Sequence, residues 1–187
     1  MRQAVQVVGS TDCSAARTVA LVLRNHIESE HLGPVLDGML YQYRLEYEQC
    51  LAGVLEKNPH HEVQGLACLA LAQYLHDKFR MIQLAEDRSE LAECYGSVFG
   101  KDYLPALRRL RQGDLTSRIE SLFERAADEF ADVTFRNTTV GETAKFELYG
   151  LRHLSVGRVA PDIEGLDQNG EAFQLSDYRG KVVLLYF

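Results

Sequence analysis

The 187-residue chain has no tryptophan, only four prolines, and no apolar run that approaches the roughly 20 residues of a membrane-spanning helix. Acidic residues outnumber basic ones, and the formal net charge is −7. Because nucleic acids and anionic membranes bind basic surfaces, this charge argues against both as partners. Residues 1–23 lack an apolar core followed by a cleavage site, so we predict no signal peptide and a cytoplasmic location by default. An incomplete N-terminus would leave a periplasmic or membrane-associated location open.

Cysteine is also sparse, with Cys13, Cys50, Cys68 and Cys94 far apart in the sequence. No two of them form a C-x-x-C motif, and no cysteine–histidine cluster has zinc-site spacing. Cys50 and Cys68 fall within helical apolar patterns, which favours buried free thiols that pack as small hydrophobic side chains. A redox-active Cys94 is the alternative, although no neighbouring residue in the sequence would activate it.

Apolar residues repeat at helical spacing through most of the chain. Ala15 to Ile27 predicts one helix with Ser14 as its cap. Pro34 suits the first turn of the next helix, which Asn58-Pro59 should end. The same pair is predicted to start the following helix, with Asn58 as N-cap and Pro59 in the first position. The stripe between them comprises Leu36, Leu40, Tyr43, Tyr47, Cys50, Leu51 and Val54.

The segment from Gly65 to Leu75, GLACLALAQYL, is rich in small residues and nearly apolar all round. Small side chains let a second helix approach closely, so this segment is predicted to lie at the centre of a helical core. A cofactor pocket is the alternative. His60 and His61 precede it without an H-E-x-x-H motif, which favours exposed first-turn residues over metal ligands. We therefore predict no metal site and no cofactor site.

Further helices are predicted over Ser89 to Phe99, closed by Gly100, and over Tyr103 to Leu110. Arg108, Arg109 and Arg111 are interpreted as a solvated helix face near a C-terminus, with phosphate binding as the alternative. Asp114 should cap a helix whose stripe is Ile119, Leu122, Phe123, Ala126 and Phe130. Its LFERAADEFADV resembles the second helix of a tetratricopeptide-type repeat, although no 34-residue repetition accompanies it. Thr139 and Glu142 form a capping box for a last helix along Val140, Ala144, Leu148 and Leu151.

The segment from Ser155 to Phe187 reads differently. Pro161 predicts an edge or a strand start, Asp167 to Gly170 a turn, and Phe173 with Leu175 a half-buried strand. Ser176-Asp177 can cap a short helical turn that Gly180 ends. Val182 to Phe187 is an unbroken apolar run, which favours a strand buried on both faces over a buried helix.

This segment resembles the start of the alkyl hydroperoxide reductase/thiol-specific antioxidant (redoxin) superfamily, closest to its thioredoxin-like thiol:disulfide oxidoreductases. The resemblance covers about 33 of the 187 residues and implies a thioredoxin-like α/β fold. It rests on the pattern V-G-x-x-A-P-D, D-x-x-G and L-S-D-Y-R-G-K-V-V-L-L-x-F. The matching residues are Gly157, Ala160, Pro161, Asp162, Asp167, Gly170, Leu175, Ser176, Asp177, Gly180, Lys181, Val182, Val183, Leu184 and Phe187.

In that family a tryptophan-bearing loop and a C-x-x-C at a helix N-terminus follow the last strand, and the helix dipole lowers the pKa of the first thiol. The 187 residues contain neither, so we predict no catalytic residue in them and no reductase or peroxidase activity. The predicted fold is mainly α. Residues 1–30 form a weakly determined N-terminal helix, 31–154 an all-helical domain of antiparallel helical pairs, and 155–187 the incomplete β-start of a thioredoxin-like domain.

Two functions follow from this organisation. The first is that of a thioredoxin-like or peroxiredoxin-family redox protein, implied by the resemblance alone. The second is that of a non-enzymatic helical module that binds a protein partner, since helical-pair domains commonly bind a partner or position a neighbouring domain.

Overall fold

The structure, a computed structural model, describes residues 14–39, 44–99, 102–110, 115–155, 158–159 and 161–184. The chain divides into two compact units, Met1–Leu148 and Tyr149–Phe187. Most described residues are helical, which confirms the mainly α fold class, and the few strands are short and antiparallel. Several residues that carried predictions lie outside the described ranges: Cys13, Leu40, Tyr43, Gly100, Arg111, Asp114, Gly157 and Ala160.

The elements follow one another in simple order. The helices are α1 (Ser14–Leu21), α2 (Gly33–Met39), α3 (Tyr47–Lys57), α4 (His61–Asp87), α5 (Ser89–Phe99), α6 (Tyr103–Leu110), α7 (Leu115–Glu129) and α8 (Val140–His153). A π-helical turn, Val22–His26, continues α1. A hairpin of β1 (Thr134–Phe135) and β2 (Thr138–Thr139) lies between α7 and α8. A second hairpin, β3 (Glu164–Leu166) with β4 (Ala172–Gln174), is followed by a 3-10 helix, Leu175–Tyr178.

Helix α4 is the centre of the first unit, as its small residues predict. The helices α3 and α7 pack along it, and α2, α5 and α6 add smaller contacts. Ala67, Cys68 and Ala72 are completely buried. A Cβ on Gly65 would lie 2.8 Å from Cγ2 of Val133, so glycine is the residue that allows this approach.

The predicted helix over Ala15 to Ile27 is present, but it is not one regular α-helix. It begins at Ser14 itself rather than after it, and α-helical geometry ends at Leu21. The π turn then runs to His26. Leu23 and Ile27 both lie against Gly53, whose missing side chain leaves room for them.

The prediction of one continuous stripe from Leu36 to Val54 is wrong, because the segment forms two helices, α2 and α3, with a turn before Tyr47. The Tyr74 hydroxyl of α4 donates a hydrogen bond to the Arg44 carbonyl oxygen at 2.8 Å. A continuous helix would use that carbonyl for its own i→i+4 hydrogen bond. Here the carbonyl accepts instead from the Tyr47 N–H at 3.4 Å, in the turn before α3.

The prediction that Asn58 caps α4 and that Pro59 starts it is also wrong by two residues, since α4 begins at His61. Asn58 instead ends α3, and its side-chain amide donates to the Ile27 and Ser29 carbonyl oxygens at 2.7 and 3.0 Å. Its Oδ1 accepts from the His60 N–H at 2.9 Å. The buried Asn58 side chain therefore joins the end of α3 to the connection after α1.

The helices predicted over Ser89 to Phe99 and Tyr103 to Leu110 are confirmed as α5 and α6. They form an outer layer, because α5 has no buried residue. Tyr103 and Leu104 of α6 join Met81, Ile82 and Ala85 of α4 in a small apolar cluster. Ala92, Tyr95 and Phe99 of α5 pack against this cluster while remaining partly exposed.

The capping box predicted for the last helix is confirmed at the start of α8. The Thr139 hydroxyl oxygen accepts from the Glu142 N–H at 3.1 Å, and the Glu142 carboxylate accepts from the Thr139 N–H at 3.3 Å. The hydrogen bonds that the Glu142 carboxylate accepts from the Thr138 hydroxyl and from the Thr139 N–H hold its pKa below its usual range. The hairpin β1–β2 that ends at this cap was not predicted.

Replacing Thr139 with alanine should lower the free energy of unfolding by about 1 kcal/mol, because the Glu142 N–H in the first turn of α8 loses its side-chain acceptor. Thermal and urea denaturation of the variant would measure the loss. Thr139→Ser keeps the hydroxyl and serves as the matched control. Equal losses in both variants would mean that the Thr139 methyl group, and not the cap, stabilises this turn.

In the second unit β3 and β4 pair with Gly165 opposite Phe173. The predicted turn is confirmed: Gly170 has a φ of 84°, a left-handed conformation that glycine adopts without strain. The predicted short helical turn is the 3-10 helix. The predicted strand is wrong for Val182, Val183 and Leu184, which form no strand, and Val182 and Leu184 are almost fully exposed. An apolar run is buried on both faces only where neighbouring strands and helices cover it, so the local pattern alone did not decide the conformation of these residues. Residues 185–187 of the predicted strand lie outside the described ranges.

Candidate functional site

The thiols of Cys50 and Cys68 lie in the helical core. Both side chains are buried, and burial raises the pKa of each thiol to about 12. The Cys68 thiol donates to the Leu122 carbonyl oxygen at 3.4 Å. Because the thiolate is the nucleophile, thiols that stay protonated at neutral pH do not exchange disulfides. The prediction of buried free thiols is confirmed for these two, while Cys94 is exposed on α5.

His60 and His61 lie at the start of α4, and both are exposed, as predicted. The His61 ring Nε2 lies 3.0 Å from Oδ1 of Asp132, and about half of the His61 side chain is exposed. This contact holds the pKa of Asp132 below its usual range. His60 is exposed at the helix N-cap. Across the described ranges no three histidine, cysteine or carboxylate side chains converge on a position where a metal ion could bind.

The basic cluster of α6 is likewise on the surface. Arg108 and Arg109 are exposed in the last turn of the helix. Positive side chains there interact favourably with the negative end of the helix dipole. This placement is the solvated helix face that the sequence predicts.

Lys78 of α4 is the most unusual ionisable group of the first unit. Only 1% of the residue is exposed, although lysine is almost never fully buried in proteins. Its Nζ donates to the Tyr103 hydroxyl at 2.9 Å, which links α4 to α6. The same nitrogen lies 5.0 Å from the centroid of the Tyr74 ring and 5.6 Å from that of Tyr103. The rings of Tyr74 and Tyr103 and the Tyr103 hydroxyl therefore adjoin the amine.

The surroundings of Lys78 change its protonation. Burial lowers the pKa of the Lys78 amine to about 7, and the Asp77 carboxylate opposes this effect only in part. Burial also raises the pKa of Tyr74 and of Tyr47. Around neutral pH the lysine therefore exists in both forms, while the two phenols stay neutral. Perturbed ionisation of this kind marks candidate functional residues.

Sequence reasoning missed Lys78, although a signal was present. Leu71, Tyr74, Leu75 and Ile82 are all buried, and position 78 falls on the same face at helical spacing. A lysine in the middle of an apolar stripe indicates either a snorkelling side chain or a buried amine. Only the three-dimensional structure distinguishes the two, because α6 closes over the position.

His76 faces α7 and α8 from the opposite side of α4. Its Nδ1 lies 3.9 Å from Oε2 of Glu147, and the Gln73 amide donates to the other Glu147 oxygen at 3.3 Å. The ring meets that of Phe123 edge-on at 6.1 Å. Burial lowers the pKa of His76, so the ring is neutral at pH 7. These contacts hold α8 to α4, and no nucleophile adjoins the pair in the described part of the chain.

An apolar cleft of about 280 Å³ opens where α2, α4 and β1 meet. Pro34 and Leu36 of α2, Leu66 and Ala70 of α4, and Phe135 of β1 supply its walls. Asp37 and Arg136 lie at its polar side, where their side chains form an ion pair of 2.7 Å. The guanidinium of Arg136 also lies 5.0 Å from the centroid of the Phe135 ring.

The cleft is bordered by a strand edge. Val140 N–H donates to the Val133 carbonyl oxygen at 2.8 Å, which makes this a hydrogen-bonded pair. Pairs alternate along an antiparallel ladder, so Thr134 and Thr139 form the next, non-hydrogen-bonded pair. The N–H and C=O of Thr134 therefore point away from β2. Among the described residues, none outside the hairpin hydrogen-bonds to Thr134.

In the second unit the aspartates of the redoxin-like pattern accept hydrogen bonds from backbone N–H groups. Asp162 Oδ1 accepts from the Ser176 N–H at 2.9 Å, across fourteen positions of sequence. Asp167 Oδ1 accepts from the N–H groups of Asn169 and Glu171 at 2.8 and 2.9 Å, and Asp177 caps the 3-10 helix. Hydrogen bonds from the Ser176 side chain and N–H hold the pKa of Asp162 below its usual range, and the Glu171 and Asn169 N–H groups do the same for the pKa of Asp167.

Among the described helices, none is both long enough and apolar enough to cross a membrane. The chain matches no protein-family model, no curated protein and no solved structure.

Proposed function

We propose that the second unit is the N-terminal part of a thioredoxin-like redox domain, and that the protein serves thiol:disulfide exchange or peroxide reduction. The observation that carries this proposal is the hydrogen bond from the Ser176 N–H to Asp162 Oδ1. It joins the A-P-D and L-S-D-Y parts of the pattern on which the redoxin resemblance rests. Residues far apart in that pattern thus meet in one backbone arrangement.

The rest of the pattern has a structural role of the same kind. Leu175 N–H donates to the Ile163 carbonyl oxygen at 2.9 Å, which extends the hairpin into the 3-10 helix. Gly180, with a φ of 80°, ends that turn in a conformation that suits glycine. These contacts support the proposal that the pattern specifies a folded β-hairpin and 3-10 helix of the kind that starts such a domain.

In the proposed reaction a thiolate attacks a substrate disulfide, forms a mixed disulfide and releases the first substrate thiolate. A second thiol then attacks the mixed disulfide, which leaves the enzyme disulfide and a second substrate thiol. Cys50 and Cys68 are too basic for this attack. The proposal therefore assigns the reaction to a C-x-x-C after Phe187, at the position that the resemblance implies.

Two measurements test this proposal. The coding region after the Phe187 codon should continue in frame into W-x-x-W-C-x-x-C, and the intact mass of the native protein should exceed the 21.1 kDa of these residues. The 187-residue chain alone should reduce insulin no faster than a variant with all four cysteines replaced by serine. A native mass of 21.1 kDa would overturn the proposal. So would turnover by the chain that depends on Cys94.

A second function, binding of a protein partner by the helical unit, is favoured by the apolar cleft between α2, α4 and β1. Ligand sites are typically concave and apolar with a few polar groups at fixed positions. The cleft has this composition, with Asp37 and Arg136 as its charged pair. The two functions are compatible, since a helical domain can bring a substrate protein to a redox domain.

The helical unit should fold without the second unit. Its buried side chains include those where α3 and α7 pack along α4, with smaller contributions from α2, α5 and α6. A chain that ends at Leu154 should therefore show helical circular dichroism and a cooperative thermal transition close to that of the full chain. A broad, non-cooperative transition that the second unit restores would show that the two units share a core.

A further inference from the structure

We propose that the cleft binds an extended segment of a partner protein, which adds to the outer edge of β1, places one apolar side chain in the cleft and pairs an acidic side chain with Arg136. This inference rests on the second proposed function and names the chemistry of the partner. Strand addition of this kind takes affinity from main-chain hydrogen bonds and specificity from pockets for alternate side chains.

The dimensions of the cleft favour one side chain over a small molecule. Its volume of about 280 Å³ is below the roughly 300–1,000 Å³ of small-molecule sites. Leu36, Leu66 and Ala70 present carbon atoms to it, so an apolar group would lose water on entering. The cleft is large enough to admit a leucine or phenylalanine side chain of a partner, and its apolar walls match the polarity of either.

The strand edge supplies the main-chain contacts. The Thr134 N–H and C=O face outward beside the cleft, and Thr134 is exposed. An extended segment that pairs with Thr134 has its alternate side chains directed to the same face of the new strand. One of these side chains lies over the cleft, and a side chain two positions away lies near the loop at Arg136.

The positive charge of Arg136 favours an acidic residue of the partner at the position near the loop. A guanidinium has five N–H donors, so Arg136 can hold a second carboxylate while keeping Asp37. About half of the Arg136 side chain is exposed, which leaves it accessible to a partner. A basic residue would instead compete with Arg136 for Asp37. Arg136 has a φ of 55°, a left-handed conformation, in the loop of the hairpin β1–β2.

The test uses the full chain and a display library of random peptides of about seven residues, the length of a typical strand. Peptides selected on the wild-type chain should share an apolar residue with an acidic residue two positions away. Their affinity, measured by fluorescence anisotropy, should fall at least about tenfold in Arg136→Glu. Arg118→Glu is the matched control, because Arg118 is equally exposed and also pairs with a carboxylate, that of Glu48, away from the cleft.

Thr134→Pro gives an independent measurement, since proline removes the outward N–H and is tolerated at strand edges. It should weaken the same peptides while the thermal transition of the protein is preserved. Selected peptides that bind both arginine variants equally, or a selection with no enrichment, would overturn the inference. Self-association of the chain that Arg136→Glu abolishes would also overturn it, because the occupant would then be a second copy. If the native protein does not reduce insulin but still binds the selected peptides, the redox proposal is wrong and the peptide-binding proposal is unaffected.

Discussion

Replacing Gly141 with alanine is expected to lower the free energy of unfolding by about 3 kcal/mol, the upper part of the range for overpacked cores. A Cβ at Gly141 would lie 2.7 Å from the Ala131 Cα and 3.0 Å from the Ala131 carbonyl oxygen. The obstructing atoms belong to backbone, so no side-chain rotation relieves the contact. The start of α8 would have to separate from the end of α7, and the hairpin between them would shift.

Gly150 on the same helix provides the control. No atom lies within 4 Å of the position where its Cβ would be. Gly150→Ala should therefore stabilise the helix by up to about 1 kcal/mol, through the higher helix propensity of alanine. Urea denaturation of both variants would measure the contrast. Equal and small effects would contradict the close approach of α8 to Ala131.

Replacing Lys78 with methionine is expected to raise the free energy of unfolding by about 2 kcal/mol at pH 6, because exchanging a buried charge for an apolar side chain of similar shape is often stabilising. The folded pKa of Lys78, about 7, lies below the reference value of 10.5. Below pH 7 the amine must be protonated in the core, at a cost on the order of 5 kcal/mol relative to the unfolded chain. Loss of the hydrogen bond to Tyr103 and of the aromatic contacts offsets part of this gain.

The effect should depend on pH in a defined direction. Between pH 7 and 10.5 the unfolded chain binds a proton that the folded Lys78 does not, so wild-type stability rises with pH in this window. The advantage of Lys78→Met should therefore shrink by about 2 kcal/mol between pH 6 and pH 8.5. Above pH 9 ionisation of Cys50 and Cys68 in the unfolded chain acts in the opposite direction in both proteins.

Denaturation of the two proteins across this pH range would measure the difference, with Lys145→Met as the control. Lys145 is exposed on α8. Its replacement should leave the pH dependence of the wild type intact. A pH dependence that survives in Lys78→Met would show that another group produces it.

Short-range patterns were sufficient for much of the fold. The bounds of α5 and α6, the Thr139–Glu142 capping box and the turn at Gly170 all depend on residues within a few positions of one another. Capping and turn formation are local hydrogen-bonding choices, so the residues that make them are adjacent in sequence. The small residues of α4 likewise predicted its central position, because small side chains let a neighbouring helix pack at a short distance.

Long-range contacts decided the remainder. The stripe from Leu36 to Val54 is divided near Arg44, whose carbonyl oxygen accepts a hydrogen bond from the Tyr74 hydroxyl of α4. The Asn58 side chain donates to the Ile27 and Ser29 carbonyl oxygens and does not cap α4. Helical periodicity reports which face is apolar, but it does not report a competing hydrogen bond from a distant element. The exposed Val182 shows the same principle for strands, since an apolar run is buried only where other elements cover it.

The composition, the helical periodicity and the local caps by themselves determined a mainly α chain with α4 at its centre and buried, unreactive thiols at Cys50 and Cys68. Tertiary structure alone decided that Lys78 is enclosed by Tyr74 and Tyr103, and that Arg136 reaches Asp37 beside the cleft. The physical reason is that pKa, enclosure and ion pairing depend on which atoms surround a group. In each site a decisive partner, Tyr103 for Lys78 and Asp37 for Arg136, comes from an element far away in the sequence.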